Sequence, residues 1–314
     1  MLTVRHSGAP YRAPQGDIMG DTRSETMRRV LRREIAGTIG LLADEQDFGA
    51  MRRYRTFAFD DHTTYLQQAE ILLRTLADQG SHTTVALFDP EDYAEYCAEL
   101  GLDPDAPASR TRFTARLALT GPAVPYEGQP LSDLVPHLVD EAVRQATWEY
   151  AATTLAALGP CADCGEDIGR AALAHASALL TRILATPAAG ERHLVCSVAT
   201  RPEPLLAVLR TDEGPGGDPL PDDTEALEFT TVLALGIATG SPGGLVVRGS
   251  TPDGPDRVHG WRLRAGGLTP LTAAEVFDAY CTDAASGDLL SPEPGVDYCA
   301  PPDLGDTGWP GHPH

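Results

Sequence analysis

Lysine is missing from this chain altogether, and so is asparagine; all 24 fixed cations in its 314 residues are arginines. The first absence closes every mechanism that needs an ε-amino group: a phosphate-loop lysine, a Schiff base, a pyridoxal-phosphate anchor, a serine–lysine dyad. Any anion site must then be built from a guanidinium fork, a helix N-terminus or a histidine. Both missing residues have A-rich codons, and Ala, Arg, Gly and Pro are plentiful, which points to a GC-rich bacterial genome. Aromatic residues make up only 6%, so the core must rest on Leu, Ala, Val and Ile. No apolar run approaches the length that spans a bilayer, and no signal-peptide pattern opens the chain. G-x-S-x-G, H-E-x-x-H and a G-x-G-x-x-G after a strand are all missing as well.

What is present is acidic. The net charge is −21, from 45 Asp and Glu against the 24 Arg, a surface that would repel a phosphate backbone and so excludes general nucleic-acid binding. The charge is uneven. Ten Arg fall in residues 1–55 against seven acids, whereas no Arg follows Arg264 and the last fifty residues carry eight acids. Hydrophobic content of 42% fits a soluble globular protein. Six cysteines without a secretory signal do not make a disulfide framework, so the expectation is a cytoplasmic protein with reduced thiols.

Four regions are expected. Residues 1–50 read as an irregular basic arm followed by an amphipathic helix over 24–43, capped by Ser24, with Met27, Val30, Leu31, Ile35 and Ile39 at helical spacing. Met51 opens MRRYRTFAFDD, which also makes a natural start. Residues 51–120 read as a βαβα module. Its strands are 53–61 and 82–89 and are expected to be parallel, and its helices are 63–79 and 90–101, with a further helix over 109–119. The Gly- and Pro-rich stretch 121–130 suggests a boundary. Residues 131–281 read as a helical hairpin (131–158 and 166–185) followed by an antiparallel sheet and a final helix over 271–281. The sheet strands are RHLVCSVAT, PLLAVLRT, LEFTTVLALGIATG, GGLVVRGS and RVHGWRLRA. Residues 282–314 read as an extended acidic tail rich in Gly and Pro. The fold class is therefore α+β.

Two groups of residues could carry chemistry. Cys161-Ala-Asp-Cys164-Gly165 places two thiols where they can share one ion, and a glycine after the second cysteine permits a tight turn. His193 and Cys196 are the matching pair for a four-ligand zinc site, with Cys281, Cys299 and His175 as other partners. Residues three apart on a strand face opposite ways, so His193 and Cys196 could meet one ion only at a bend. A redox dithiol competes with this reading, as does an inert turn. The second group is acidic: Asp60, Asp61 and His62 after the first expected strand, and Asp89, Glu91 and Asp92 after the second. Carboxylates at the carboxyl ends of parallel strands can hold Mg²⁺ together with phosphate oxygens. Asp89-Pro90-Glu91-Asp92 is also a complete helix start, and Asp61 can cap its helix likewise. The leading expectation is a non-catalytic binding or regulatory protein with a structural zinc, acting on a protein partner or small molecule and not on a membrane. The alternative is a Mg²⁺-dependent enzyme for a phosphorylated or nucleotide-like small molecule, using Asp60, Asp61, His62 and Asp89.

Overall fold

The computed structural model describes residues 37–186, 190–201, 203–213, 219–250, 254–282 and 286–309. The basic arm and most of the helix expected over 24–43 lie outside those residues. The fold is α+β, and the chain divides into two compact units, Met1–Ala142 and Val143–His314.

In the N-terminal unit the described chain opens with a strand, β1 (Gly37–Leu41), where the sequence pattern predicts the end of a helix. Two glycines and the β-branched pair Thr38-Ile39 are weak helix formers. What decides the matter is a distant partner, β2 (Thr83–Leu87), which pairs with β1 in parallel from Gly37↔Thr83 to Leu41↔Leu87. The crossover is helical: α1 (Glu45–Met51), capped by Asp44, and α2 (His62–Asp78), capped by Asp61. Residues 53–61, expected as the first strand, form turns and irregular chain. Their aromatic content serves a cluster rather than a sheet: the Phe57 ring lies 5.0 Å from Phe59, 5.5 Å from Phe48 and 5.9 Å from Tyr65.

After β2 come α3 (Pro90–Leu100) and α4 (Pro107–Thr120). Gly101 stops α3 in the left-handed region at φ 63°, a conformation glycine adopts without strain. The segment 121–130 holds β3 (Ala123–Pro125), antiparallel to β2, so the sheet order is β1-β2-β3. The core beneath it gathers Leu41, Phe48, Leu73, Val85, Phe88, Tyr93, Phe113 and Val124.

Helix α5 (Leu131–Leu158) gives Leu131, Leu134 and Leu138 to that core, and Ala151 and Leu155 to the core of the C-terminal unit. Pro136 lies in its second turn, and the helix runs on through it. The C-terminal unit continues with α6 (Ile168–Leu184), β4 (Glu191–Val198), β5 (Leu205–Glu213), β6 (Pro219–Pro221) and α7 (Asp223–Thr239). Strands β7 (Gly243–Ser250), β8 (Asp256–Arg264) and β9 (Gly267–Pro270), helix α8 (Ala273–Tyr280) and β10 (Val296–Tyr298) complete it. The sheet order is β10-β8-β7-β4-β5-β6, with β9 on β8; β10 pairs with β8 in parallel and the other neighbours are antiparallel.

One expectation fails in this unit. LEFTTVLALGIATG is a helix, not a strand. Every residue from Phe229 to Ala238 is buried, so the run is apolar on all sides and shows neither the helical nor the strand period. Its ends carry ordinary helix signals: Asp222 caps the start and Gly240 the finish, at φ 63°. The described part of the tail, 286–309, is anchored at several points. Glu293 pairs with Arg248, Leu304 is buried, Thr307 Oγ1 donates to the Leu268 carbonyl, and the Trp309 ring lies 5.3 Å from His175. The few apolar residues among the prolines and glycines act as anchors. No helix among the described residues is long and apolar enough to cross a membrane.

Candidate functional site

The dithiol turn joins α5 to α6. Gly159 leaves α5 at φ 68°, and Pro160 bridges to Asp167 across the base of the turn. Within it, Cys161 N–H donates to the Glu166 carbonyl (2.7 Å) and Gly165 N–H to the Cys161 carbonyl (2.9 Å). Gly165 turns the chain back at φ 75°, and Asp167 then caps α6 by accepting from Arg170 N–H at 2.8 Å. The helices meet closely beside it. A Cβ on Gly169 would stand 2.7 Å from the Leu155 carbonyl oxygen, so only glycine lets them approach.

Cys161 is buried, in the same core as Leu155 and Ile168, while Cys164 and its neighbours from Ala162 to Asp167 are exposed. The backbone N–H groups of Cys164 and Asp163 donate to Cys161 Sγ, and the Cys164 thiol bonds to it as well. These donors hold the Cys161 thiol below its ordinary value, against the opposing effects of burial and of Asp163. Oriented N–H groups on one sulfur with a second thiol beside it favour thiolate chemistry, as a soft-ion ligand pair or as a dithiol.

His193 and Cys196 do not join this pair. Cys196 faces the core with no exposure, and burial pushes its thiol up to about 12, whereas His193 is exposed on the opposite face of β4. Cys281 lies on the Tyr298 hydroxyl and Cys299 on the Val258 carbonyl. His175 Nε2 bonds to the Thr307 carbonyl. No cysteine is in a disulfide. Among the described residues no group of three or more His, Cys, Asp or Glu is placed to hold a metal ion.

The acidic residues serve mainly as caps. Asp61 accepts from the Thr64 N–H (2.7 Å) and hydroxyl (2.8 Å), which hold its carboxyl below the usual range. Asp89 accepts from Glu91 N–H (2.6 Å) and Asp92 N–H (3.1 Å). His62 bonds the Leu42 carbonyl and stacks on Tyr65. Asp60 is exposed, and the residues directly before it, 53–59, form no strand. The carboxyl ends of β1 and β2 do collect carboxylates, but Asp44 and Asp47 stand where Asp60 and Asp61 were expected. Recognising GTIGL as a strand would have pointed to them.

Asp47 is the perturbed member of this group. Its carboxyl is pushed up to about 6 from an ordinary 3.8, first by burial and then by Asp44, Asp89 and Glu91. A carboxyl whose pKa rises on folding favours the folded state while protonated. Its contribution is full below the unfolded value and is lost as pH climbs through about 6. Asp47→Asn is therefore expected to stabilise the N-terminal unit near neutral pH and above. The gain should be about 1 kcal/mol, since Asp47 is partly solvated and screened, with little change near pH 4. Hydrogen exchange of the β2 amides in the full chain reads this, and a wild-type–variant gap that does not grow between pH 4 and 8 would refute it.

A groove of about 600 Å³ runs between β1 and α4, lined in part by Thr38, Gly40, Arg110, Thr111 and Thr114. The Arg110 guanidinium is turned onto Thr56, donating to its hydroxyl (3.0 Å) and its carbonyl (3.3 Å).

A protein-family model described as a domain of unknown function (DUF8829) matches residues 26–129, the span from ahead of β1 to just beyond β3. The dithiol turn lies outside that match. No curated protein and no solved structure matches the chain.

Proposed function

We propose that this chain is a non-catalytic binding or regulatory protein whose binding element is the Cys161–Cys164 turn, taking a thiophilic divalent ion such as zinc. The observation that carries this reading is the closed turn, with Cys161 N–H on the Glu166 carbonyl and Gly165 N–H on the Cys161 carbonyl, which sets two cysteines two residues apart with Cys164 exposed. Such a turn favours thiolate at Cys161 and puts a second sulfur within reach of the same ion. Zinc titration of metal-free full-length protein, read by elemental analysis after dialysis, tests it. Retained zinc that Cys164→Ser loses is the expected result. Cys164 is exposed, so that substitution leaves the core alone. No retained zinc, with both thiols open to alkylation, would overturn the reading.

A second reading, a Mg²⁺-dependent enzyme acting on a phosphorylated or nucleotide-like small molecule, is favoured by the carboxylates gathered around Asp47. Mg²⁺ is commonly held by one or two carboxylates, with substrate phosphates and water completing its shell. On this reading Mg²⁺ raises the stability measured for Asp47 above, and Asp89→Asn loses that gain.

A further inference from the structure

We infer that the Cys161–Cys164 turn is half of a metal site, and that a second copy of this chain supplies the other half, so that four thiolates from two chains enclose one ion. The inference rests on the zinc reading above and adds to it the identity of the missing ligands.

A closed zinc site takes four ligands in a tetrahedron, with Zn–S distances of about 2.3 Å. One turn gives two. All six cysteines are among the described residues, and the other four are engaged elsewhere. Cys97 is buried in the core of the N-terminal unit and Cys196 in that of the C-terminal unit. Cys281 and Cys299 lie on Tyr298 and the Val258 carbonyl. No third His, Cys, Asp or Glu among the described residues is grouped with the pair. The unfilled positions therefore open outward, where Ala162 to Asp167 are all exposed and Ala162 and Gly165 add no bulk.

A second, identical turn meets this need without any new residue. A two-fold axis through the ion relates one Cys161–Cys164 pair to the other, and two such pairs set crosswise make a tetrahedron. The charge around the site makes a further demand. Asp163, Glu166 and Asp167 flank each turn, so the two copies approach against like charge. Bridging should accordingly strengthen as added salt screens that repulsion.

Sedimentation equilibrium of the full chain, metal-free and with increasing zinc, tests the inference. The expected result is a mass that doubles with zinc, saturation at about one ion per two chains, and a Cys164→Ser variant that stays monomeric. Zinc held at about one ion per chain by a monomer, and lost in Cys164→Ser, would overturn the bridge while leaving the zinc reading intact. A dimer that forms without zinc and survives Cys164→Ser would also overturn it. Failure of the wild type to retain any zinc would remove the reading beneath it.

Discussion

Arg192→Leu is expected to destabilise the C-terminal unit by about 2–4 kcal/mol, although it replaces a buried charge with an apolar side chain. Arg192 is 4% exposed at the start of β4, on the face that packs against the helices. Its guanidinium reaches the end of α6, where Nη1 donates to the carbonyls of Ile183 (3.4 Å) and Leu184 (3.1 Å), and Nη2 to that of Thr186 (2.8 Å). The helix has no glycine at its end: Ala185 closes it in the right-handed region. Its one basic residue in the last turn, Arg182, is turned instead to the Leu304 and Asp306 carbonyls. Arg192 thus donates to the Leu184 and Thr186 carbonyls at the end of the helix, shares the Ile183 carbonyl with the Thr186 N–H and hydroxyl, and places a cation at the negative end of the helix dipole.

Removing Arg192 takes a donor from the Leu184 and Thr186 carbonyls, each at a cost of about 1–3 kcal/mol, while Ile183 keeps its bonds from Thr186, and relief of the desolvated guanidinium returns only part of the loss. Burial pushes the Arg192 pKa down, yet arginine stays charged at any working pH. Arg192→Lys keeps the charge and loses the fork, so it should fall between the two. The three tryptophans are Trp148, Trp261 and Trp309, all in the C-terminal unit, so tryptophan fluorescence in urea isolates its transition. A midpoint shift worth under about 0.5 kcal/mol, the size expected of an ordinary surface substitution, would show that the cap contributes nothing.

Trp261→Ala should cost more, about 3–5 kcal/mol. Trp261 is 1% exposed, in the middle of β8, opposite Leu245 on β7 and Pro270 on β9. It lies in the same core as Leu263, Phe229 and Ile237, and its ring meets His259 edge-on at 5.4 Å. Truncation leaves a cavity that rigid strands on both sides cannot close. Trp261→Phe keeps most of the volume and should lose about half as much. Because Trp148 and Trp309 remain, circular dichroism in urea is the better measurement for this pair. Equal losses for Ala and Phe would mean that the indole nitrogen, and not the packed volume, sets the cost.

Local pattern carried much of this fold. Helices α2, α3 and α6 repeat apolar residues at the helical spacing, and each begins at an aspartate that caps it, so their limits could be read to within a residue or two. Strands β4, β5, β7 and β8 lie between Gly-, Pro- and Asp-rich turns and stand where the pattern placed them. The opposite facing of His193 and Cys196 also followed from strand parity. The failures have a common origin. GTIGL continued a helical pattern, and only its pairing with β2, more than forty residues away, makes it a strand. The aromatics of 53–61 mimic a strand because the same side chains suit a cluster. Helix α7 lost its period because α6 and the sheet surround it, and a helix buried on every side has no polar face to mark the turn.

By itself, the sequence determined the chemical inventory. No lysine is available, arginine is the sole fixed cation, and two cysteines stand two residues apart before a glycine. These are properties of composition and short spacing, which no fold can change. Only the tertiary structure decided which of those residues meet. It turned Arg192 onto the end of a helix, buried Cys196 away from Cys161, and brought Asp44 and Asp47, not Asp60 and Asp61, to the carboxyl ends of the parallel strands. The physical reason is one of range. Caps, turns and periodicity are satisfied within a few residues, whereas burial and parallel pairing depend on partners that lie far along the chain.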